Sequence, residues 1–158
     1  MRDFIGFAEA AVDEKGRLAV PFRFRRLLYP DDQDTFVVTR GFDGELMAFP
    51  KDVWRQLRER IEELEFANPF DPRQRKYLRR FLHESEECKL DPQGRILLPS
   101  HLREKLALDG RAVVAGSSNR LEIWNPSTYG EVRKRDDDEA ATIANAISLA
   151  PRPRAPEV

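Results

Sequence analysis

The sequence predicts a mixed β/α fold in which two similar halves pack face to face as a pseudo-symmetric pair. The first observation is a repeat, since residues 13–21 read DEKGRLAVP and residues 91–99 read DPQGRILLP. The second observation is that hairpin, short helix, strand pair and longer helix follow one another in the same order in both halves. A duplicated unit sets the architecture before any single residue is considered, and two copies are too few for a solenoid.

Each copy of the repeat predicts a hairpin turn that leads into a short strand. Asp13 and Gly16 occupy the first and fourth positions of a type I turn, and Asp91 and Gly94 do the same in the second copy. Pro92 at the second position of the later turn strengthens the prediction, because the fixed φ of proline fits there. The strands expected beside these turns cover residues 6–12, 18–20 and 96–98.

The remaining elements follow from apolar patterns and capping residues. Four further strands are expected at 36–39, 46–49, 112–115 and 121–124. Short helices are expected at 22–28 and 101–106, with Ser100 as the N-cap of the second. Asp71 before Pro72 predicts the start of a longer helix, and Asn125 before a proline repeats that signal.

Two helical stripes predict apolar faces that belong to the core or to a subunit interface. Spacings of three and four are typical of one helix face. The first stripe consists of Trp54, Leu57, Ile61 and Leu64, and the second of Tyr77, Leu78, Phe81 and Leu82. The domain division predicted from the repeat is 1–67 for the first half, 68–135 for the second half and 136–158 for a variable, flexible tail. Within that tail, 136–150 has a weak helical pattern and 151–158 is rich in proline, which favours disorder.

Composition limits the possible classes of protein. The chain has 158 residues and a formal net charge of −1, and its N-terminus lacks the apolar stretch of a signal peptide. No apolar run approaches the ~18 residues of a membrane span. The single Cys88 excludes an intramolecular disulfide and fits the reducing cytoplasm.

Charge is distributed unevenly despite the small net value, and distribution matters more than the sum for a nucleic-acid-binding protein. Between residues 15 and 26 there is no acidic residue, and the basic residues there are Lys15, Arg17, Arg23, Arg25 and Arg26. A second basic cluster, which can equally be an ordinary solvated surface, consists of Arg73, Arg75, Lys76, Arg79 and Arg80.

The sequence does not predict an enzyme, a metal site or a cofactor. His83 and His101 have no metal-ligand spacing to each other or to Cys88. Cys88 is more typical of a small buried apolar residue than of a reactive thiol. The segment 41–44 fits a hairpin turn better than a phosphate-binding loop.

The two turns are the best candidates for a functional site. Lys15 and Gln93 occupy the outward-projecting third position of each turn, and Arg17 and Arg95 follow the glycines. Arginine can bond guanine O6 and N7 bidentately, glutamine can pair with adenine, and a β-ribbon fits the major groove. Lys15 and the neighbouring Arg23 and Arg25 can hold phosphates, which positions a protein on DNA without reading sequence.

A purely structural role for the two arginines remains open at this point. Each arginine stands four residues after an aspartate, Asp13 before Arg17 and Asp91 before Arg95, so each can pair with that carboxylate and pin its turn. The structural role and the DNA-binding role are compatible.

At these residues the chain resembles the MraZ family of bacterial transcriptional regulators, which have two tandem SpoVT/AbrB-like domains. The motifs that carry the resemblance lie at 13–21 and 87–99, with supporting matches at 49–54 and 119–124. It covers residues 1 to 135.

The resemblance implies two swapped-hairpin units that form a β-barrel core within one chain, with peripheral helices. It implies a ring-shaped homo-oligomer of eight or twelve subunits. It also implies binding to short direct repeats upstream of the cell-division and cell-wall gene cluster, including the protein's own gene, usually as a repressor at the nucleoid. The arginines of the family motif correspond to Arg17 and Arg95, and its turn lysine to Lys15.

The chain departs from the family pattern at the second turn, where Gln93 replaces a basic residue, so the second hairpin is expected to bind DNA more weakly. Three alternatives are less favoured. They are a smaller AbrB-like or antitoxin-type repressor, a ring-shaped scaffold that binds protein or RNA, and, least favoured, an enzyme.

Overall fold

A computed structural model describes residues 2–147, and eight strands, five α-helices and a short 3₁₀ helix (Pro30–Asp32) lie within them. The strands are β1 (Phe7–Val12), β2 (Arg17–Ala19), β3 (Thr35–Arg40), β4 (Leu46–Pro50), β5 (Glu86–Lys89), β6 (Arg95–Leu97), β7 (Gly110–Ser117) and β8 (Arg120–Trp124). The helices are α1 (Phe22–Arg25), α2 (Lys51–Ala67), α3 (Pro72–His83), α4 (Ser100–Lys105) and α5 (Pro126–Ala146). The predicted mixed β/α class is confirmed.

All eight strands form one antiparallel sheet with the order β5-β3-β4-β8-β7-β1-β2-β6. The two end strands, β5 and β6, also lie against each other, so the sheet curves into a nearly closed barrel. The first strand of each half pairs with the third strand of the other half, β1 with β7 and β5 with β3. This exchange of hairpins between halves is the arrangement that the family resemblance implied.

A pseudo-two-fold axis passes between β2 and β6, where the two copies of the repeat meet. Leu18 lies opposite Ile96, and these two residues occupy equivalent places in the repeat. Leu18 is 0% exposed and Ile96 is 1% exposed. Strand alternation then places Arg17 and Arg95 on the outer face of the same strand pair.

The described residues bury two apolar clusters. The larger fills the barrel, and its largest members include Phe4, Phe24, Phe36, Leu102 and Leu121. The smaller lies under α2 and α3 and consists of Phe49, Ile61, Leu78 and Phe81, with partly buried neighbours.

Only part of each predicted helical stripe is buried. Ile61 is buried in the smaller cluster, whereas Leu64 is 55% exposed and Tyr77 is 50% exposed. Every residue from 62 to 70 is exposed, so the last turns of α2 and the segment after it are not covered by the rest of the described chain. Leu64 is therefore not a core residue of the single chain.

The capping predictions succeed for two of the three helices. Asp71 accepts a hydrogen bond from the Arg73 amide at 2.9 Å, and Asn125 accepts one from the Ser127 amide at 2.9 Å. The prediction for Ser100 is wrong, since Pro99 occupies the cap position of α4 and Ser100 is its first helical residue. Pro99 has no side-chain acceptor, so α4 begins without a side-chain cap hydrogen bond.

Helix α5 runs across the predicted boundary between the second half and the tail. Residues 136–146, assigned to a flexible tail, continue the helix that begins at Pro126, so the weak helical pattern seen there is part of a longer element. The proline-rich segment 151–158 lies outside the described residues. The division at 67 coincides with the end of α2, and the domain boundaries themselves stay a prediction.

Candidate nucleic-acid interface

The two hairpin turns lie side by side because β2 pairs with β6. Each turn closes with a backbone hydrogen bond of 2.9 Å, from Gly16 to the Asp13 carbonyl and from Gly94 to the Asp91 carbonyl. The two glycines have φ values of +85° and +75°, a backbone conformation that strongly favours glycine. The turns also bond to each other's strands. Leu98 donates to the Gly16 carbonyl at 3.0 Å, and Val20 donates to the Gly94 carbonyl at 3.1 Å.

Asp13 holds the first turn together through three hydrogen bonds. Its Oδ1 accepts from the backbone amides of Lys15 at 3.0 Å and Arg17 at 2.9 Å, and its Oδ2 accepts from Arg17 Nε at 2.6 Å. The carboxylate therefore satisfies the turn backbone and orients the arginine side chain at the same time.

Asp91 repeats this arrangement in the second turn. It accepts from the amides of Gln93 and Arg95 and from Arg95 Nε, each at 2.9 Å. Each arginine thus pairs with the aspartate of its own turn, as the structural interpretation of the sequence required.

The hydrogen bonds also set the charge state of the two aspartates. The backbone N–H of Arg17 holds the pKa of the Asp13 carboxyl below its usual value, and the Arg17 side chain adds to that effect. The backbone N–H of Arg95 and its side chain lower the pKa of Asp91 in the same way. Both carboxylates are ionised at neutral pH.

Acid should therefore destabilise the turns, and Asp13→Asn should remove part of that pH dependence. A lowered pKa in the folded state contributes stability that is complete above the unfolded pKa, about 3.8 for Asp13, and is lost as the pH falls through the folded value. Urea unfolding midpoints measured from neutral pH into this acid range test the prediction. Glu14→Gln, at an exposed position of the same turn, is the control and should keep the wild-type pH profile. An unchanged profile in Asp13→Asn would contradict the prediction.

Arg17 and Arg95 differ in the number of carboxylates that they contact. Arg95 Nη1 also lies 3.6 Å from Asp13 Oδ2, so Arg95 is shared between two carboxylates. Within the described part of the chain, Nε is the only nitrogen of the Arg17 side chain that is hydrogen-bonded. The Arg17 side chain is 34% exposed and that of Arg95 is 26% exposed. Arg17 consequently has more capacity to bind a ligand.

The tips of the turns face solvent. Lys15 and Gln93 are both exposed, and only their backbone amides are bonded to the aspartates. The tips differ in composition, because the first carries the charged residues Glu14 and Lys15 and the second carries the uncharged Pro92 and Gln93.

Arg23 belongs to α1, and its side chain lies against β1 and not on either turn. Its guanidinium donates to the Phe7 carbonyl and lies 4.9 Å from the centre of the Phe24 ring. Part of its hydrogen-bonding capacity is therefore used inside the protein, and its contact with phosphate stays a prediction.

Two further arginines cover the turn glycines. A methyl group added to Gly16 would lie 2.5 Å from Arg103 Nη1, and one added to Gly94 would lie 2.6 Å from Arg25 Nε. Each arginine comes from the short helix of the opposite half. Arg25 was a candidate phosphate contact from the sequence, whereas Arg103 was not singled out there. The repeat contains the signal, since each of the two stands four residues after the repeat proline.

Cys88 is a buried thiol in the larger apolar cluster. Burial raises the pKa of the Cys88 thiol to about 12, with the nearby Glu86 adding to the effect. Within residues 2–147, no three His, Cys, Asp or Glu side chains come together where they could hold a metal ion. None of the helices in that part of the chain is both long and apolar enough to cross a membrane.

Comparison with known proteins identifies the family. The sequence matches the family described as "MraZ protein, putative antitoxin-like" over residues 4–77 and 81–148. The chain belongs to the MraZ family. The two matched segments contain the two hairpin turns, one each, so the duplication seen in the sequence is the duplication of the MraZ family.

Curated MraZ relatives match the chain along nearly its whole length. A protein named transcriptional regulator MraZ from Desulfitobacterium hafniense (strain Y51) is 39% identical over 144 residues, covering 91% of this chain and 96% of the relative. The protein of the same name from Roseiflexus castenholzii is 38% identical over 146 residues, covering 92% and 96%. That from Moorella thermoacetica is 38% identical over 144 residues, covering 91% and 96%. These relatives are named as regulators and not as enzymes, which supports the prediction that the chain has no catalytic activity.

Proposed function

We propose that the protein is a sequence-specific DNA-binding transcriptional regulator that represses its targets from short direct repeats. These repeats lie upstream of the cell-division and cell-wall gene cluster, which includes the protein's own gene. The protein acts in the cytoplasm at the nucleoid and needs no cofactor. The names of its relatives support the regulatory role. The observation in this chain that carries the proposal is the placement of Arg17 and Arg95 on one outer face of the β2–β6 pair.

Chemistry at the two turns supports base reading. Arginine has five N–H donors, and Asp13 uses only Nε of Arg17, so the terminal nitrogens can meet guanine O6 and N7. The aspartate fixes the orientation of the guanidinium before DNA arrives, which reduces the entropy lost on binding. Lys15 at the exposed tip supplies a phosphate contact.

The second turn is a weaker reading element in this proposal. Arg95 lies against both Asp91 and Asp13, and its tip residue, Gln93, is uncharged. Gln93 can pair with adenine where the sequence provides one. Each subunit therefore offers one strong and one weak contact to DNA.

Assembly into a ring of eight or twelve subunits would compensate for weak single contacts. A ring holds several turns in register with tandem repeats, and linked sites can gain about 10² to 10⁴ in avidity when the geometry permits. Large apolar side chains are available for subunit contacts, since Phe66 is 91% exposed, Phe70 is 87% exposed and Ile5 is 71% exposed. The mass of the native protein in solution tests this part, because a simple dimer would favour the smaller AbrB-like regulator.

Binding to DNA from upstream of the protein's own gene tests the proposed function. Fluorescence anisotropy titrations should give a lower Kd for that fragment than for a shuffled fragment of the same composition. The preference should persist at a second, higher salt concentration, because base contacts are less sensitive to salt than phosphate contacts.

Two other results would point elsewhere. Equal binding to both fragments that collapses with salt would show attraction to phosphates alone. Failure to bind either fragment would favour a ring-shaped scaffold for protein or RNA, in which the aspartate–arginine pairs serve only the turns.

A further inference from the structure

Arg103 covers the first hairpin turn although it belongs to the second half of the chain. A Cβ atom added to Gly16 would lie 2.5 Å from Arg103 Nη1, 2.8 Å from its Cζ and 3.1 Å from its Cδ. The guanidinium therefore lies directly against the turn backbone. Only glycine leaves room for this contact, which gives Gly16 a role besides its positive φ.

The position of Arg103 is fixed by the exchange of hairpins. Helix α4 begins directly after β6, and the Leu98 amide at that junction bonds to the Gly16 carbonyl at 3.0 Å. Leu102, the neighbour of Arg103, is 0% exposed and anchors α4 in the barrel core. A rigid connection thus joins the first turn to the helix that carries Arg103.

The charge of Arg103 is not compensated by a carboxylate. Asp13 and Asp91 pair with Arg17 and Arg95. Within residues 2–147, Arg103 forms no ion pair, and its side chain is only partly buried. In the first turn Asp13 offsets Arg17 and Glu14 offsets Lys15, so Arg103 leaves this turn with a net positive charge.

The equivalent residue of the other turn is engaged differently. Arg25 Nε donates to the Val20 carbonyl at 3.1 Å, and its guanidinium lies 5.1 Å from the centre of the Phe22 ring. The Nε donor of Arg25 and one face of its guanidinium are therefore already occupied by contacts within the protein. The second tip also has Gln93 where the first has Lys15. Of the two covering arginines, Arg103 therefore has the guanidinium that is more available to a ligand.

We propose that Arg103 is a phosphate-binding residue of the first hairpin turn, contacting the DNA backbone beside the bases that Arg17 reads. This proposal rests on the proposed function, since it needs the turns to face DNA. A phosphate contact contributes affinity and salt dependence but no sequence preference. The role of Arg103 is thus distinguishable from that of Arg17.

Arg103→Gln tests the proposal while keeping a long side chain against Gly16. The test measures the Kd for the upstream fragment and for a shuffled fragment across a series of salt concentrations. The slope of log K against log salt should become shallower by about 0.9 for each subunit that contacts DNA, for both fragments. The preference for the native fragment should not change.

Two matched variants separate charge from structure. Arg103→Lys retains the charge and should keep the wild-type salt slope. Arg73→Gln removes an arginine whose side chain is 92% exposed on α3, an element that contributes nothing to either turn, and should also leave the slope unchanged. Circular dichroism and the midpoint of thermal unfolding show whether each variant is folded.

The outcomes distinguish this proposal from the proposed function. A folded Arg103→Gln protein with the wild-type slope would overturn the role of Arg103 while leaving the proposed function intact. A changed preference between the fragments would assign Arg103 to base reading and overturn the proposal as well. If Arg103→Lys made the salt slope as shallow as Arg103→Gln does, the positive charge would not be what matters. That outcome would show that Arg103 has a structural role. A wild-type protein that binds neither fragment would overturn both proposals.

Discussion

Arg17→Ala is expected to abolish the preference of the protein for DNA from upstream of its own gene. A bidentate contact between arginine and guanine contributes about 1–3 kcal/mol, which corresponds to a change of between about fivefold and about 150-fold in affinity for each contact. In a ring, several subunits would lose that contact at once, so the loss should multiply. The larger effect is expected from Arg17 and not from Arg95, because Arg95 is shared between two carboxylates.

The turn itself should survive this substitution. Asp13 Oδ1 still accepts from the backbone amides of Lys15 and of residue 17, and Gly16 still closes the turn. Anisotropy titrations with native and shuffled fragments measure the loss of preference, and the native mass shows whether assembly is retained. Arg73→Ala, at an exposed position on α3, is the control and should bind as the wild type does. An Arg17→Ala protein that assembles and binds its repeats normally would refute base reading by this residue.

Leu18→Ala is expected to produce the largest loss of stability among single substitutions at the repeat. Leu18 is 0% exposed and faces Ile96 across the strand pair that joins the two halves. Truncating a fully buried leucine to alanine costs about 2–5 kcal/mol through lost burial and the cavity left behind. A loss of this size is a large fraction of the ~5–15 kcal/mol that keeps an ordinary domain folded.

Leu97→Ala is the matched control for this prediction. Leu97 is also a leucine at the β2–β6 pair, but it lies on the outer face and is 60% exposed. Its truncation should change the free energy of unfolding by less than about 0.5 kcal/mol. Urea unfolding of both variants compares the two effects. Equal losses in the two variants would show that the strand pair does not bury Leu18 in the way described.

The elements of the barrel were predictable where their signals are local. A type I turn depends on four consecutive residues, so Asp13 and Gly16 were sufficient to predict it. The caps at Asp71 and Asn125 involve amides two residues away, and both form. Ser100 was misassigned because the proline before it is equally compatible with a helix start.

Partners far apart in the sequence were harder to predict. The spacing of the repeat indicates two similar halves, but it does not say which strand of one half pairs with which strand of the other. The hairpin exchange followed only from the family resemblance. Likewise, the periodic pattern of α2 predicts an apolar face, but whether Leu64 is covered depends on which distant residues pack over that part of the helix.

For the candidate site, the sequence by itself determined the two turns and the aspartates that bond to their backbones. It also determined which arginines and which exposed residues the turns carry. These groups interact across four residues or fewer, so their spacing defines the contacts. Only the tertiary structure decided that Asp13 also lies near Arg95, and that Arg103 covers Gly16. Those contacts join residues from opposite halves. They exist because β2 and β6 pair at the pseudo-two-fold axis, and a pairing between distant strands depends on the whole barrel and not on local spacing.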